Sequence, residues 1–171
     1  MSKVIRMRLS TDSIDRAIKE IKEYRKWVQL KTVQFVKALA SRGLTVIDSN
    51  KVTPGDSDAS NTNAYVTVDI LGTKAIAHLF FEGEDVAFIE FGAGASYNGV
   101  AGQSPNPFGA KLGYTIGSYG LGQGSGYYWY YKDVDGERKI SLGTKAGMPV
   151  AKADEKIRNE FIDVAKAVFR W

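Results

Sequence analysis

Apolar residues recur at spacings of three, four and seven from Ile14 onward, at Ile18, Ile21, Val28, Phe35 and Leu39, with Ala17, Tyr24 and Val36 at neighbouring positions. That spacing predicts one long helix. Ser10, Thr11 and Asp12 supply N-cap oxygens at its start, and Gly43, directly after Arg42, is the expected stop. About 30 residues at 1.5 Å each give a helix of roughly 45 Å. A compact body of 171 residues does not need that length, so part of the helix is expected to project or to lie along a neighbouring subunit.

Beyond Gly43 the period changes to two. Residues 44–48 form a short apolar run that reads as a strand, and residues 53–63 are rich in Pro, Gly, Asp, Ser and Asn, a loop composition. Val66, Val68 and Ile70 then alternate with Thr67 and Asp69, the pattern of a strand with one buried face. Leu71-Gly72-Thr73 predicts a tight turn into a strand over 74–82, and Gly83-Glu84 a second turn into a strand over 86–91. Three strands so joined make an antiparallel meander. Residues 92–126 hold 11 of the 18 glycines, too long a loop for a mere connection. Its aromatics, Tyr97, Phe108, Tyr114 and Tyr119, argue against a simple flexible linker, because such side chains bury large areas where they find a surface. A hairpin follows over 127–142 with Asp135-Gly136 at its turn, and Pro149 opens a final helix over 149–170 with its stripe at Ala153, Ile157, Phe161, Val164, Ala165 and Val168. The predicted fold class is α+β: one domain over 1–171, an antiparallel β-sheet with a long N-terminal helix (within 1–43) and a C-terminal helix packed on it, strands over 44–91, a glycine-rich loop and a hairpin.

Composition narrows the chemistry. At 44% hydrophobic and 25% charged residues the chain is ordinary for a folded domain. No apolar run is long enough for a membrane span, and MSKVIRMRLS lacks the apolar core of a secretory signal, so cytoplasmic synthesis is expected. There is no cysteine and one histidine, His78, which removes thiolate metal sites and cysteine nucleophiles and routes any Ser-His-Asp arrangement through that residue. No catalytic residue, cofactor or metal is predicted. The net charge of +4 is uneven, at +7 over residues 1–51, −4 over 52–148 and +1 over 149–171. A basic end and an acidic middle suit nucleic acid, or copies that touch basic face to acidic face.

Five features invite a functional reading. Gly120-Leu-Gly-Gln-Gly-Ser-Gly126 is no phosphate loop, since an aromatic strand follows it where the mechanism needs a helix N-terminus, and no Walker lysine is present. Tyr127-Tyr128-Trp129-Tyr130-Tyr131 puts aromatics on both faces of one strand. That suits a stacking platform for bases or sugars; packing one face inward and the other on a partner protein is the commoner use. His78 shares a strand face with Ile76 and Phe80, and is read as a half-buried, hydrogen-bonded residue rather than a general base. Glu90 lies amid apolar positions near a strand end, where a perturbed acid is conceivable and a buried or interfacial ion pair with an arginine is the commoner explanation. The basic residues of the long helix, from Arg16 to Lys37, read first as a solvated face and only generically as a nucleic-acid contact.

The segment Val86-Ala87-Phe88-Ile89-Glu90-Phe91-Gly92-Ala93-Gly94 resembles the signature of a family of minor structural proteins of tailed bacteriophages and prophages, the neck, head-tail joining or tail-completion components. Its setting is similar too: a long charged helix ending in Arg42-Gly43, GYTIGSYGLGQG over 113–124 with an aromatic WYY after it, and Gly147-Met148-Pro149 leading into the last helix. The resemblance implies a non-enzymatic virion subunit that forms a homo-oligomeric ring at the head-tail junction or the tail end. Its implied partners are the phage connector and tail-tube proteins, with DNA passing the lumen without sequence recognition, no membrane contact, and the host cytoplasm as its place during assembly. Phe88, Ile89, Glu90, Phe91, Gly92 and Gly94 match the signature and enter as structural candidates, while Tyr97, Tyr119, Tyr128, Trp129 and Tyr130 are candidate interface residues. The alternative is a nucleic-acid-binding module built from the basic helix and the YYWYY strand.

Overall fold

Helix α1 covers Thr11–Asn50, 40 residues, or about 60 Å at 1.5 Å per residue. The chain continues through a hairpin of strands β1 (Asn63–Leu71) and β2 (Lys74–Glu82), two short helices α2 (Val86–Phe91) and α3 (Ala95–Asn98), a second hairpin of β3 (Trp129–Lys132) and β4 (Arg138–Ser141), and helix α4 (Pro149–Val168). The computed structural model describes residues 4–51, 62–83, 85–98, 104–112, 127–132 and 135–170. This is an α+β fold whose sheets are antiparallel and two-stranded.

Two expectations fail here. Gly43 does not end α1, which runs on through the predicted strand at 44–48. Glycine is there because two elements cross against it: a Cβ at Gly43 would lie 2.8 Å from Ile157 Cδ1 and 2.9 Å from Leu79 Cδ2. Close packing on both α4 and β2 outweighs the ~1 kcal/mol that glycine costs inside a helix. The predicted third strand of the meander is instead helix α2, so among the described residues the strands form two separate hairpins rather than one sheet.

Helices α1 and α4 pair antiparallel: Trp27 meets Phe169 edge-on at 6.2 Å between ring centroids, Phe35 meets Phe161 at 5.1 Å, and Lys152 Nζ donates to Asn50 Oδ1 at 2.8 Å. The β1–β2 hairpin lies along α1 with its turn beside Gln29, whose side-chain amide donates to the Gly72 carbonyl at 2.9 Å. Gly72 takes φ +62° at that turn, as the tight-turn reading requires. Val66 pairs with Leu79 and Val68 with Ala77, half-buried towards α1, while Thr67, Asp69, Ile76, His78 and Phe80 are exposed on the other face. The core sits around the C-terminal half of α1, α2 and α4, where Ile47, Ile89, Ala153 and Val164 are at most 2% exposed.

The ion pairs at the α1–α4 seam set an acid limit. Glu160 accepts from Lys156 Nζ at 2.5 Å and from the Arg42 guanidinium, and these two cations, Lys156 first, hold its carboxyl below the ordinary glutamate range. A depressed native pKa stabilises the fold above the unfolded value and loses that contribution as pH falls through the native one. The Tm gap between wild type and Glu160→Gln should therefore be open at neutral pH and close as pH falls from about 4.3 through the lower native value. Thermal melts across that range check it, and a gap that does not narrow in acid would contradict it.

Candidate functional site

The signature segment builds the entrance to α4. Met148, the N-cap of α4, sits in the left-handed region at φ 54° and caps with no side-chain hydrogen bond. The first-turn amides of α4 are nevertheless satisfied, by a residue some 60 positions earlier. Glu90 Oε2 accepts from the Val150 N–H at 2.8 Å, and Glu90 Oε1 accepts from the Ala151 N–H at 3.0 Å. A carboxylate there meets both the orphan donors and the positive end of the helix. Asn106 Nδ2 adds a third bond to Oε1 at 2.7 Å. The Ile89 carbonyl also takes the Gly147 N–H at 2.7 Å. VAFIEFGAG and GMP, distant in sequence, thus meet.

Glu90 is 6% exposed and Asn106 3%. The arginine partner expected for Glu90 is replaced by two backbone amides and an asparagine, which satisfy the carboxylate without burying a second charge. Its geometry is that of a helix cap: every oxygen is taken by a donor of the frame.

Around it a second asparagine ties the neighbouring loops. Ala93 and Thr144 exchange backbone bonds of 2.8 and 2.9 Å. Asn98 Oδ1 accepts from the Ala146 N–H at 2.8 Å, and its Nδ2 donates to the carbonyls of Thr144 at 2.8 Å, Gly94 at 3.0 Å and Ala93 at 3.2 Å. Ser104 Oγ donates to the Phe91 carbonyl at 2.6 Å. Gly92 has φ +80° and Gly94 φ +78°, backbone that L side chains avoid, and a Cβ on Gly92 would strike the Asn98 amide. Asn98 and Asn106 were missed in the sequence. For Asn106 the signal was the Asn-Pro dipeptide in Ser104-Pro-Asn-Pro107, which marks a turn; its Oδ1 accepts from the Phe108 N–H at 2.9 Å.

The remaining candidates divide by exposure. Of the signature residues, Ile89, Glu90, Phe91, Gly92 and Gly94 are buried and Phe88 is half-buried. Tyr97 is on α3 at the surface. Tyr119 and the whole GYTIGSYGLGQG stretch lie outside the described residues. On the β3–β4 hairpin, Tyr127, Tyr128, Tyr130, Tyr131 and Ile140 are all exposed, from 45% to 72%. Tyr128 and Tyr130 pack edge to face at 6.0 Å, and the Arg138 guanidinium covers the Tyr130 ring at 4.3 Å. Trp129 belongs to β3 and pairs with Ser141 in its register. The hairpin hangs from the Ala93–Thr144 bridge and from Ser96, whose hydroxyl donates to the Tyr127 carbonyl. His78 is more exposed than expected, 46% at its side chain, with Nε2 3.2 Å from Asp69 Oδ2; no element among the described residues packs on the outer face of the hairpin to half-bury it.

Among the described residues, two of the exposed apolar surfaces lie towards the two ends of the long helix. Because α4 ends at Val168, beside Trp27, the first 16 residues of α1, about 24 Å, extend past it. The stripe that packs on α4 at Phe35 continues over this stretch through Ile14, Ile18 and Ile21, which are 38%, 45% and 54% exposed. Val4, Met7 and Leu9 before it are exposed as well. Among the described residues no helix is long and apolar enough to cross a membrane. No protein-family model, curated protein or solved structure matches this chain.

Proposed function

We propose that this chain is a non-enzymatic structural subunit of a tailed-phage virion, at the neck or the head-proximal end of the tail, which completes its packing against copies of itself in a ring. The observation that carries this reading is the uncovered continuation of the α1 stripe. Ile14, Ile18 and Ile21 repeat the spacing that half-buries Phe35 and buries Leu39 further along, yet no helix among the described residues packs over them. Contiguous exposed apolar surface of this kind marks a site of association. The exposed tyrosines of β3 supply a second such surface at the other end of α1, and two different surfaces per subunit are what a closed ring needs. The resemblance of VAFIEFGAG and its setting to the phage family supports a ring at the neck or the head-proximal end of the tail. The partners that follow are the connector and the tail tube, and the signature itself serves as frame, since Glu90 is consumed in holding α4.

The test is the particle. Purified virions should contain the chain, and the isolated protein at high concentration should scatter light as a closed oligomer that Ile18→Glu with Ile21→Glu reduces to monomer. A protein that stays monomeric at every concentration and is absent from purified particles would remove the reading.

A further inference from the structure

The overhanging end of α1 carries charges as well as isoleucines. Ile14, Ile18, Ile21 and Arg25 follow one another at spacings of four, three and four, the seam of a two-helix pair, and all four are exposed. Ala17, on one flank of the seam, is 5% exposed, so the open surface is the seam and its other flank. Asp15 and Lys22 stand on that other flank, two turns apart. Both are exposed, and among the described residues neither has an ion-pair partner. A seam edged by one acid and one base matches a second copy of itself only in certain alignments, and charge selects among them.

A second copy laid parallel would stack Arg25 on the partner's Arg25 within the seam, two like charges face to face. Laid antiparallel, the helices can close the seam in three ways. With Ile14 facing the partner's Ile18, Asp15 meets the partner's Asp15. With Ile21 facing the partner's Arg25, Lys22 meets the partner's Lys22. With Ile18 facing the partner's Ile21, Asp15 meets the partner's Lys22 and Lys22 meets the partner's Asp15, an opposite pair on each side of the two-fold axis. In this last register Ile14 lies against the aliphatic stem of the partner's Arg25, whose head stays in water. The overlap then runs over residues 11–28, about 27 Å. It ends where α4 of the same chain takes over the cover of α1, beside Trp27.

Resting on the reading of this stripe as an assembly surface, we propose that the overhanging end of α1 pairs antiparallel with the same stretch of a second copy, Ile18 against the partner's Ile21 and Asp15 against the partner's Lys22. The contact is isologous, each copy giving the other the same residues. A ring assembled from such pairs closes through its second surface, the tyrosines of β3.

Charge reversal within one chain tests it. Asp15→Lys or Lys22→Asp alone places like charges on both sides of the axis and should weaken self-association about tenfold or more by sedimentation. The double variant Asp15→Lys with Lys22→Asp should recover it, because the antiparallel register exchanges the two partners and makes both pairs opposite again. Since the chain has no cysteine, mixed Ile14→Cys and Arg25→Cys copies should form a disulfide under mild oxidation far above either copy alone, a readout that leaves Asp15 and Lys22 in place. This pairing is wrong, while the stripe stands as an assembly surface of another geometry, if the single reversals assemble like wild type or the double variant stays as weak as they are. Ile14→Cys copies that link to one another instead of to Arg25→Cys would overturn it too, since only parallel helices bring that position onto itself. A wild-type chain that never self-associates leaves the stripe to a different protein and overturns both the pairing and the assembly reading.

Discussion

Replacing Glu90 with alanine should cost about 3–5 kcal/mol, because three donors lose their acceptor inside the protein and each buried unsatisfied donor costs about 1–3 kcal/mol. The donors are the N–H groups of Val150 and Ala151 and the Asn106 amide, and Glu90 is 6% exposed. Water cannot readily take the carboxylate's place at so buried a point, and Met148 brings no side-chain cap to α4. For a domain of this size that energy corresponds to a fall in Tm of roughly 10 °C. Glu90→Gln keeps the shape and one acceptor oxygen but turns an NH2 group towards a backbone N–H, so it should fall between, at about 2 kcal/mol. Thermal and urea melts of both variants check the ranking. Wild-type stability in Glu90→Ala would mean that the carboxylate is dispensable as a cap and would reopen the question of what a buried acid is for.

The same residue shows where sequence reading stops. Val86-Ala-Phe-Ile-Glu-Phe91 is six residues long, aromatic and β-branched, and at that length a buried strand and a buried helix look alike. The strand reading put Phe88 and Glu90 on one face and Ile89 on the other. In α2, Ile89, Glu90 and Phe91 are all buried, because α4 covers the segment on one side and residues 104–108 on another. Contacts of that range leave no trace in a six-residue window. Long periodic segments were more legible: α1, α4 and the β1–β2 alternation are where the spacing places them. Gly43 shows the opposite error, a valid local stop signal overridden by packing against Leu79 and Ile157. The capping role of Glu90 was hidden because its partners are backbone amides some 60 residues away, and amides carry no sequence signal. The exposed aromatics of 127–131 were visible at once, since their chemistry needs no tertiary context to be conspicuous.

Gly143→Ala should be the other severe substitution, for a reason that involves no lost side chain. Gly143 has φ +86°, a conformation that costs a residue with a Cβ about 1 kcal/mol or more. The added methyl would also point straight into the Ala93 carbonyl, with the Ala93 and Gly94 backbone behind it. A flexible side chain could rotate away; this carbonyl cannot, because it accepts from the Thr144 N–H at 2.9 Å and from Asn98 Nδ2 at 3.2 Å. To make room the Ala93–Thr144 bridge must open, and with it the anchorage of both the β3–β4 hairpin and the approach to α4. Strain and lost backbone bonds together should cost about 3 kcal/mol or more. Gly136 separates the two contributions. It has φ +81° in the same hairpin but open space where its Cβ would go, so Gly136→Ala should cost only the conformational part, about 1 kcal/mol. Melting both variants side by side checks the assignment: equal losses would show that backbone conformation alone matters, whereas a threefold gap locates the cost in the contact with Ala93. The assembly reading adds a second readout, since Gly143→Ala should impair self-association at temperatures where the helices remain folded, the bridge being what holds the tyrosine-bearing hairpin in place.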